Sequence, residues 1–421
     1  MFDSAARSVF SLSSLITILF WICIGLIDAQ ADSTPDLRAL LADRFGTDAT
    51  KRDRATTLLA SAPFDDHVRA LAWEAYKASA AHAALRVEYE AKTVKTKDRT
   101  SPYLWRYVGE KPKEGWGLFI ALHGGGDMTQ DFNDKKWHQM FNEYFHDHPE
   151  AGGYIYLALR APNNTWNGFY DDAIAPLIER LIRQFVLFAD VDPDHVYILG
   201  KSHGGYGAFV IGPKIPDRFA AIHSSAAAPT PDETQGENLR NTRFTFMVGE
   251  NDTDYSRADR CKEFAIQYES WRKKSGGYPG GLEWLRGEGH YINSYDKDKT
   301  AEMLKNGSRN PWPKKIVWVQ SDDILKYFYW IETQKPTNGG RIEASVKENT
   351  ITLKAGGQGT VALWLDAPLV DLSKPVTVKV AGGRSKTFTP AANVETYCLS
   401  LEERGDPRLA APVRIEVPLR P

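Results

Sequence analysis

The sequence predicts an α/β chain: a mostly parallel sheet covered by helices on both faces, an N-terminal helical extension, and a C-terminal all-β, sandwich-like domain. Three observations lead there. Apolar, strand-like runs at 116–122, 154–159, 196–198, 243–248 and 282–285 alternate with helical patterns through the middle of the chain. Residues 35 to about 97 have helical spacing throughout. After residue 306 the texture becomes short strands separated by Gly, Asn, Asp and Pro turns.

The first 31 residues are expected to form a secretory signal peptide: Arg7, an apolar segment over 9–27, then the small-residue site Ala29-Gln30-Ala31, with cleavage after Ala31. The alternative is an uncleaved anchor. Cys23 lacks the preceding small residues of a lipoprotein signal. In the next segment, 32–98, Val68, Leu71, Ala72 and Tyr76 form one apolar stripe that cannot be buried alone. It is expected to pack on the central domain or form part of its rim.

Residues 99–305 form the predicted catalytic domain. A helix beginning near Asp171 carries Ile174, Leu177, Ile178, Leu181, Ile182 and Phe185 on one face, and Asp171 and Asp172 favour its positive end. Alternation of such helices with fully apolar strands implies a parallel sheet with both faces covered. Residues 306–421 comprise a turn-rich linker, Asn306 to Pro313 in sequence, and strand-like runs at 316–320, 327–331, 342–346, 350–353, 361–365 and 376–380. Two readings of this β domain stand side by side: a structural buttress, or a module that binds carbohydrate or another surface. Trp364 alternates with inward positions and is no evidence for sugar stacking.

The chemistry is concentrated in four motifs. Gly200-Lys201-Ser202-His203-Gly204-Gly205-Tyr206-Gly207 directly follows an apolar strand and opens a helical pattern, the form of a GxSxG elbow with Ser202 at its apex. Upstream, the strand at 116–122 ends in His123-Gly124-Gly125-Gly126, whose glycines let a backbone N–H face a substrate oxygen. Downstream, the strand at 243–248 opens into Gly249-Glu250-Asn251-Asp252, and a later one leads to Gly287-Glu288-Gly289-His290. A serine hydroxyl needs a neighbouring base to become nucleophilic, which His290 can supply, and Asp252 can orient that imidazole. Asp254 is the alternative acid. The backbone N–H groups of Gly124 or Gly125 and of His203 are the candidate oxyanion donors.

With those motifs in place, residues 100 to about 300 resemble the α/β-hydrolase superfamily. The run Asp190 to Gly207 is similar to the way the secreted esterase branch, polyhydroxybutyrate depolymerase-like and feruloyl esterase-like proteins, enters its elbow. Prolyl oligopeptidase-like catalytic domains share the GxSxGG form. The resemblance implies hydrolysis of an ester or amide through an acyl-enzyme, with no cofactor, and names no substrate.

Little chain separates Ser202 from Asp252, so a large lid has no room and an open site is expected. Its walls should come from 127–137 and 160–170, and the candidate substrate-binding residues are His123 together with Asn163, Trp166, Asn167 and Phe169 of the second segment. His146-Asp147-His148 lies in a polar stretch and is read as solvated surface, so no metal is expected. Cys261 and Cys398 are read as two separate thiols in partly buried positions, a disulfide being the alternative. A net charge of -2 and the absence of a basic block argue against nucleic acid, and no membrane contact is expected after signal cleavage. Three functions fit: a secreted serine esterase acting on small or polysaccharide-linked esters, a serine peptidase, and a catalytically silent binding protein on the same scaffold.

Overall fold

The computed structural model describes residues 36–419, apart from 357–358 and 384; the expected signal peptide lies outside the described residues. An eight-stranded sheet forms the centre. Its strands are β1 (Thr93–Lys95), β2 (Thr100–Val108), β3 (Trp116–Leu122), β4 (Tyr154–Leu159), β5 (Val191–Lys201), β6 (Ala221–Ser225), β7 (Arg243–Gly249) and β8 (Gly280–Leu285). Their order across the sheet is β1-β2-β4-β3-β5-β6-β7-β8. Every pair from β4 to β8 is parallel, while β2 is antiparallel to both β1 and β4.

Alternation along β3 explains why both faces need helices. Leu118, Ile120 and Leu122 join one core with the Ile174–Phe188, His203–Lys214 and Arg257–Ser275 helices. Phe119 and Ala121 point the other way, into a core with Met140, Tyr144 and Met303. Leu177, Ile178, Leu181 and Phe185 of the Ile174–Phe188 helix are wholly buried, so the apolar face read from the sequence is the face that packs.

Two further sheets follow. One has the order β10-β11-β14-β17, with β10 (Tyr327–Phe328), β11 (Ile331–Thr333), β14 (Thr360–Leu365) and β17 (Val413–Pro418). The other runs β16-β15-β13-β12-β9, with β9 (Lys315–Val319), β12 (Arg341–Lys347), β13 (Thr350–Gly356), β15 (Val376–Val380) and β16 (Ser385–Phe388). Their inward residues make one apolar core that includes Trp318, Phe328, Trp330 and Trp364. Trp364 is core, its indole N–H donating to Glu332 Oε2 at 2.9 Å.

The single strand expected at 327–331 is instead two. Tyr329 has φ 52°, and the chain reverses there so that Phe328 pairs with Ile331. A run of aromatic residues reads as one strand, but only backbone geometry reveals the fold-back. Sequence reading also passed over the Val394–Arg404 helix, inserted in the otherwise β-rich end. Its Val394, Tyr397, Cys398 and Leu401 form a core with Leu41, Phe45, Leu59 and Val68 of the N-terminal helices. The N-terminal extension therefore buries its stripe chiefly against the C-terminal helix, with Leu187 and Phe188 the contacts from the central helices. Arg44 clamps this arrangement with bonds to both oxygens of Glu395, at 2.6 and 2.9 Å.

The seam between the large sheet and the β-rich end is ionic and buried. Arg309 donates to Asp194 (2.9 Å) and to Asp406 (2.7 Å), and Arg404 pairs with Asp217. Asn238 donates to the Val319 carbonyl and accepts from the Val319 N–H, at 2.9 and 2.7 Å, so one amide side chain substitutes for a strand neighbour at the edge of β9. Cys261 and Cys398 are free and buried in different cores, and burial pushes both thiols up, Cys261 to about 12.

Candidate active site

Ser202 stands between the end of β5 and the start of the His203–Lys214 helix with φ 53° and ψ -118°, a strained conformation for a residue with a side chain. The flanking glycines make the turn feasible. A Cβ on Gly204 would lie 2.1 Å from the Leu122 carbonyl oxygen, and one on Gly200 would lie 2.1 Å from that of Gly204. Only hydrogen fits at either place.

Three side chains meet at this apex. Ser202 Oγ donates to His290 Nε2 at 3.1 Å, and His290 Nδ1 donates to Asp252 Oδ2 at 2.8 Å. Asp252 is 2% exposed. Burial pushes its carboxyl up, but the bonds from His290 and Arg257 outweigh that and hold it below the usual carboxylate value. Asp254, the alternative acid, has an 83% exposed carboxylate that faces Arg257 at 3.7 Å, while the imidazole bonds to Asp252.

Arg257 escaped sequence reading. Its Nε and Nη2 donate to Asp252 Oδ1 at 2.8 and 2.5 Å, occupying the oxygen that His290 leaves free. One Arg among many, five residues after the acid, gives no local signal of that task.

The glycine loop after β3 is held from below. Asn133 Oδ1 accepts from the Gly126 N–H at 3.0 Å, while its Nδ2 donates to the Met128 and Thr129 carbonyls. Gly126 is thus committed to the loop, and Gly124 lies against Ser202, where its added Cβ would meet the serine Cβ at 3.5 Å. His123 also serves the loop. Its Nε2 accepts from Ala161 N–H (3.1 Å), so its Nδ1 carries the proton and donates to the Gly124 carbonyl (2.6 Å). Full burial lowers this imidazole to about 3 and keeps it neutral.

A cavity of about 630 Å³ opens over Ser202 and His290. One wall comes from Met128, Phe132, Lys136 and Tyr144, another from Trp166, Tyr206 and Tyr255, and a third from Lys201, Tyr291 and Asn293. Trp166 is therefore in the cavity, as expected from the sequence. His203 holds it there: Nε2–H donates to the Trp166 carbonyl at 2.8 Å, and burial lowers the imidazole to about 4.

Four other expected substrate contacts lie elsewhere. Phe169 is fully buried beneath His123 and His203. His123 is equally buried. Asn163 Oδ1 accepts from the Thr165 N–H at 3.1 Å, and Asn163 and Asn167 flank the Thr165 hydroxyl at 2.8 and 2.7 Å and share its one hydrogen, so both bind their own loop. Polar loops must satisfy their own turns first, and composition alone does not separate that use from substrate contact.

The strand order, the elbow on β5 and the loops converging at the ends of β3, β5, β7 and β8 constitute the α/β-hydrolase fold. No family model matches the chain. It is 28% identical over 127 residues to a protein described as "Putative esterase NocK" from Nocardia uniformis subsp. tsuyamanensis, and 29% identical over 105 residues to "Pheromone-processing carboxypeptidase kex1" from Penicillium rubens. These matches take in 28% and 25% of this chain and only 35% and 17% of the respective relatives. Solved structures similar to it include a thermostable esterase (19% identity, 52% of this chain and 62% of that one, TM-score 0.39). An acetyl xylan esterase from Aspergillus awamori (12%, 49% and 94%, 0.35) and a ferulic acid esterase (18%, 51% and 96%, 0.35) are also similar.

Proposed function

We propose that this protein is a serine hydrolase that cleaves carboxylic esters through a Ser202-His290-Asp252 triad. The observation that carries the reading is the hydrogen-bonded chain from Ser202 Oγ through His290 to Asp252, built on a strained elbow beside the glycine loop. In the reaction, His290 Nε2 takes the Ser202 proton as Oγ attacks the ester carbonyl. The oxyanion lies against the Gly124 or Gly125 and His203 amides, each such donor being worth on the order of 3 kcal/mol of barrier. His290 then protonates the leaving alcohol, and water, activated by the same imidazole, releases the acid from the acyl-enzyme.

The open cavity and its aromatic walls suit a flat acyl group or a sugar-linked ester. Trp166 is 39% exposed and Tyr255 68%, so both offer ring faces to a ligand. The chain is exported by its first 31 residues, and the β-rich end after residue 306 serves as a buttress through the Arg309 and Asn238 contacts. Among the described residues, no helix is long and apolar enough to cross a membrane.

A serine peptidase is the second reading, favoured by the carboxypeptidase relative. Short p-nitrophenyl esters set against peptide p-nitroanilides separate the two. Ester turnover at least about a hundredfold faster, lost in Ser202→Ala, is expected; anilide turnover of equal rate would favour the peptidase. N-terminal sequencing of exported protein should begin at Asp32, and a retained Met1 would rule out cleavage.

A further inference from the structure

Two half-exposed lysines in the Ser202 cavity lack the direct ion pair that the buried lysines elsewhere in the molecule have. Lys214 faces Asp172 at 2.5 Å, with Glu233 and Asp322 at 3.7 Å, and Lys299 faces Glu283 and Glu302. Lys201, the residue before the serine, instead donates to the neutral Asn293 Oδ1 at 2.5 Å, with its Nζ 5.4 Å from the ring centroids of both Tyr144 and Tyr291. Lys136 donates to Gln139 Oε1 at 3.1 Å and lies 5.3 Å from the Phe132 ring. Among the described residues, neither ammonium forms an ion pair.

Both lysines line the same cavity as Ser202 and His290. Burial pushes the Lys201 ammonium below its ordinary value; the buried carboxylate of Asp296 and, more weakly, that of Asp252 act against this without pairing directly with it, and the like charge of Lys136 acts with it. Taking a cation partly out of water without a partner costs free energy that a bound anion offsets. The cavity's carboxylates do not fill that role. Asp254 is exposed beside Arg257, and Glu143 is an exposed rim residue that approaches neither lysine within ion-pair distance.

Position tells which half of an ester the charge would meet. Lys201 is bonded to Asn293 and lies over the ring of Tyr291, the residue after His290, so the charge sits on the His290 side of the cavity, and in this reading it meets the alcohol that the imidazole protonates. Trp166 gathers His203, Tyr206 and Tyr255 around it in a separate aromatic wall, which is left to the acyl group.

We propose that Lys201 and Lys136 form an anion subsite, and that the preferred substrates are esters whose leaving alcohol bears a carboxylate or phosphate, an inference resting on Ser202 as the nucleophile. The test uses esters of matched shape: methyl 4-acetoxybenzoate as the neutral member, 4-acetoxybenzoate and 4-acetoxyphenyl phosphate as the anionic ones. The full-length protein should show kcat/KM about tenfold or more higher for an anionic ester, the gain expected of one charge-assisted contact. The larger of the two anionic preferences identifies the group.

That preference should shrink at about 0.5 M salt, fall towards one in Lys201→Met and Lys136→Met, and survive in Lys201→Arg. Equal kcat/KM for neutral and anionic esters overturns the subsite while leaving the hydrolase reading intact. So does a wild-type ratio in folded Met variants. If Lys201→Met does not fold, Lys136→Met and the salt dependence decide by the same criteria. Should no ester turn over, the hydrolase reading fails, and calorimetric titration with 4-hydroxybenzoate decides the subsite. Binding weakened about tenfold in Lys136→Met supports it, and unchanged or absent binding overturns it.

Discussion

In the large sheet, six neighbouring strands run parallel and the candidate site hangs from short loops at the ends of β3, β5, β7 and β8. In the β-rich end, β11 pairs with β14 and β14 with β17, so Ile331, Leu363 and Ile415 are neighbours drawn from distant parts of the chain. The first region converts local turn chemistry into a reactive geometry. The second converts long-range pairing and buried ion pairs into cohesion between the two ends of the chain. Substitutions near the elbow should therefore act on rate, and substitutions at the seam on stability.

The largest expected effect is at the triad. Ser202→Ala and His290→Ala should each lower kcat for short p-nitrophenyl esters by about 10⁴-fold or more, and the double variant little further, because the two act as one unit. Unfolding midpoints in urea should change little, since Ser202 contributes little packing volume. Additive losses in the double variant would break the assignment.

At the seam the expectation reverses. Arg309→Met leaves Asp194 and Asp406 without their shared cation in a buried setting, which should cost about 3–5 kcal/mol in urea unfolding. The folded fraction should keep its kcat within about twofold, as the change lies outside the site. A tenfold loss of kcat in well-folded protein would mean that the β-rich end completes the active site.

His203 lies in the first region, beside the elbow, yet its expected effect is on stability, which sharpens the contrast. Its imidazole is lowered by burial from an ordinary 6.5 to about 4, so the unfolded chain takes up a proton that the folded chain refuses. Its share of stability is complete above pH 6.5 and is lost as the pH falls towards 4, amounting to roughly 2–3 kcal/mol by pH 4.5. His203→Gln, which keeps a donor for the Trp166 carbonyl, should flatten the loss of stability between pH 7 and 4.5 by that amount. Identical pH dependence in both proteins would show that the ring is not shielded as described.

Much of the site could be read from the chain because each part is local. Strand, Gly200, Ser202 and Gly204 are contiguous, and the backbone clashes that exclude larger residues at the glycines arise within that turn and from the adjacent β3. Arg257, Asn133 and Lys201 could not be read, since their partners Asp252, Gly126 and Asn293 are set by how loops meet in space. The Val394–Arg404 helix escaped for a related reason: its buried face is complementary to helices at the other end of the sequence. Asn163 and Asn167 mislead in the opposite sense, polar in composition yet committed to Thr165.

A smaller effect is expected where rate depends on a remote hold. Arg257→Met should lower kcat about 10- to 100-fold with KM nearly unchanged, because Asp252 loses the bonds that fix its orientation to His290. Arg257→Lys, which retains charge but not the fork, should recover part of that loss. The smallest expected effect is at the cavity wall: Trp166→Ala should weaken kcat/KM for aromatic acyl esters by about 1 kcal/mol relative to acetates. An equal loss for both would place Trp166 outside acyl recognition.

The central claim, that Ser202 is an activated nucleophile, is tested most directly by covalent labelling with a fluorophosphonate followed by peptide mass mapping. The expected result is a single adduct on Ser202 in the wild-type protein and none in Ser202→Ala or His290→Ala. Labelling of the Ser202→Ala protein at the wild-type rate, or a folded wild-type protein that takes no label, would contradict it.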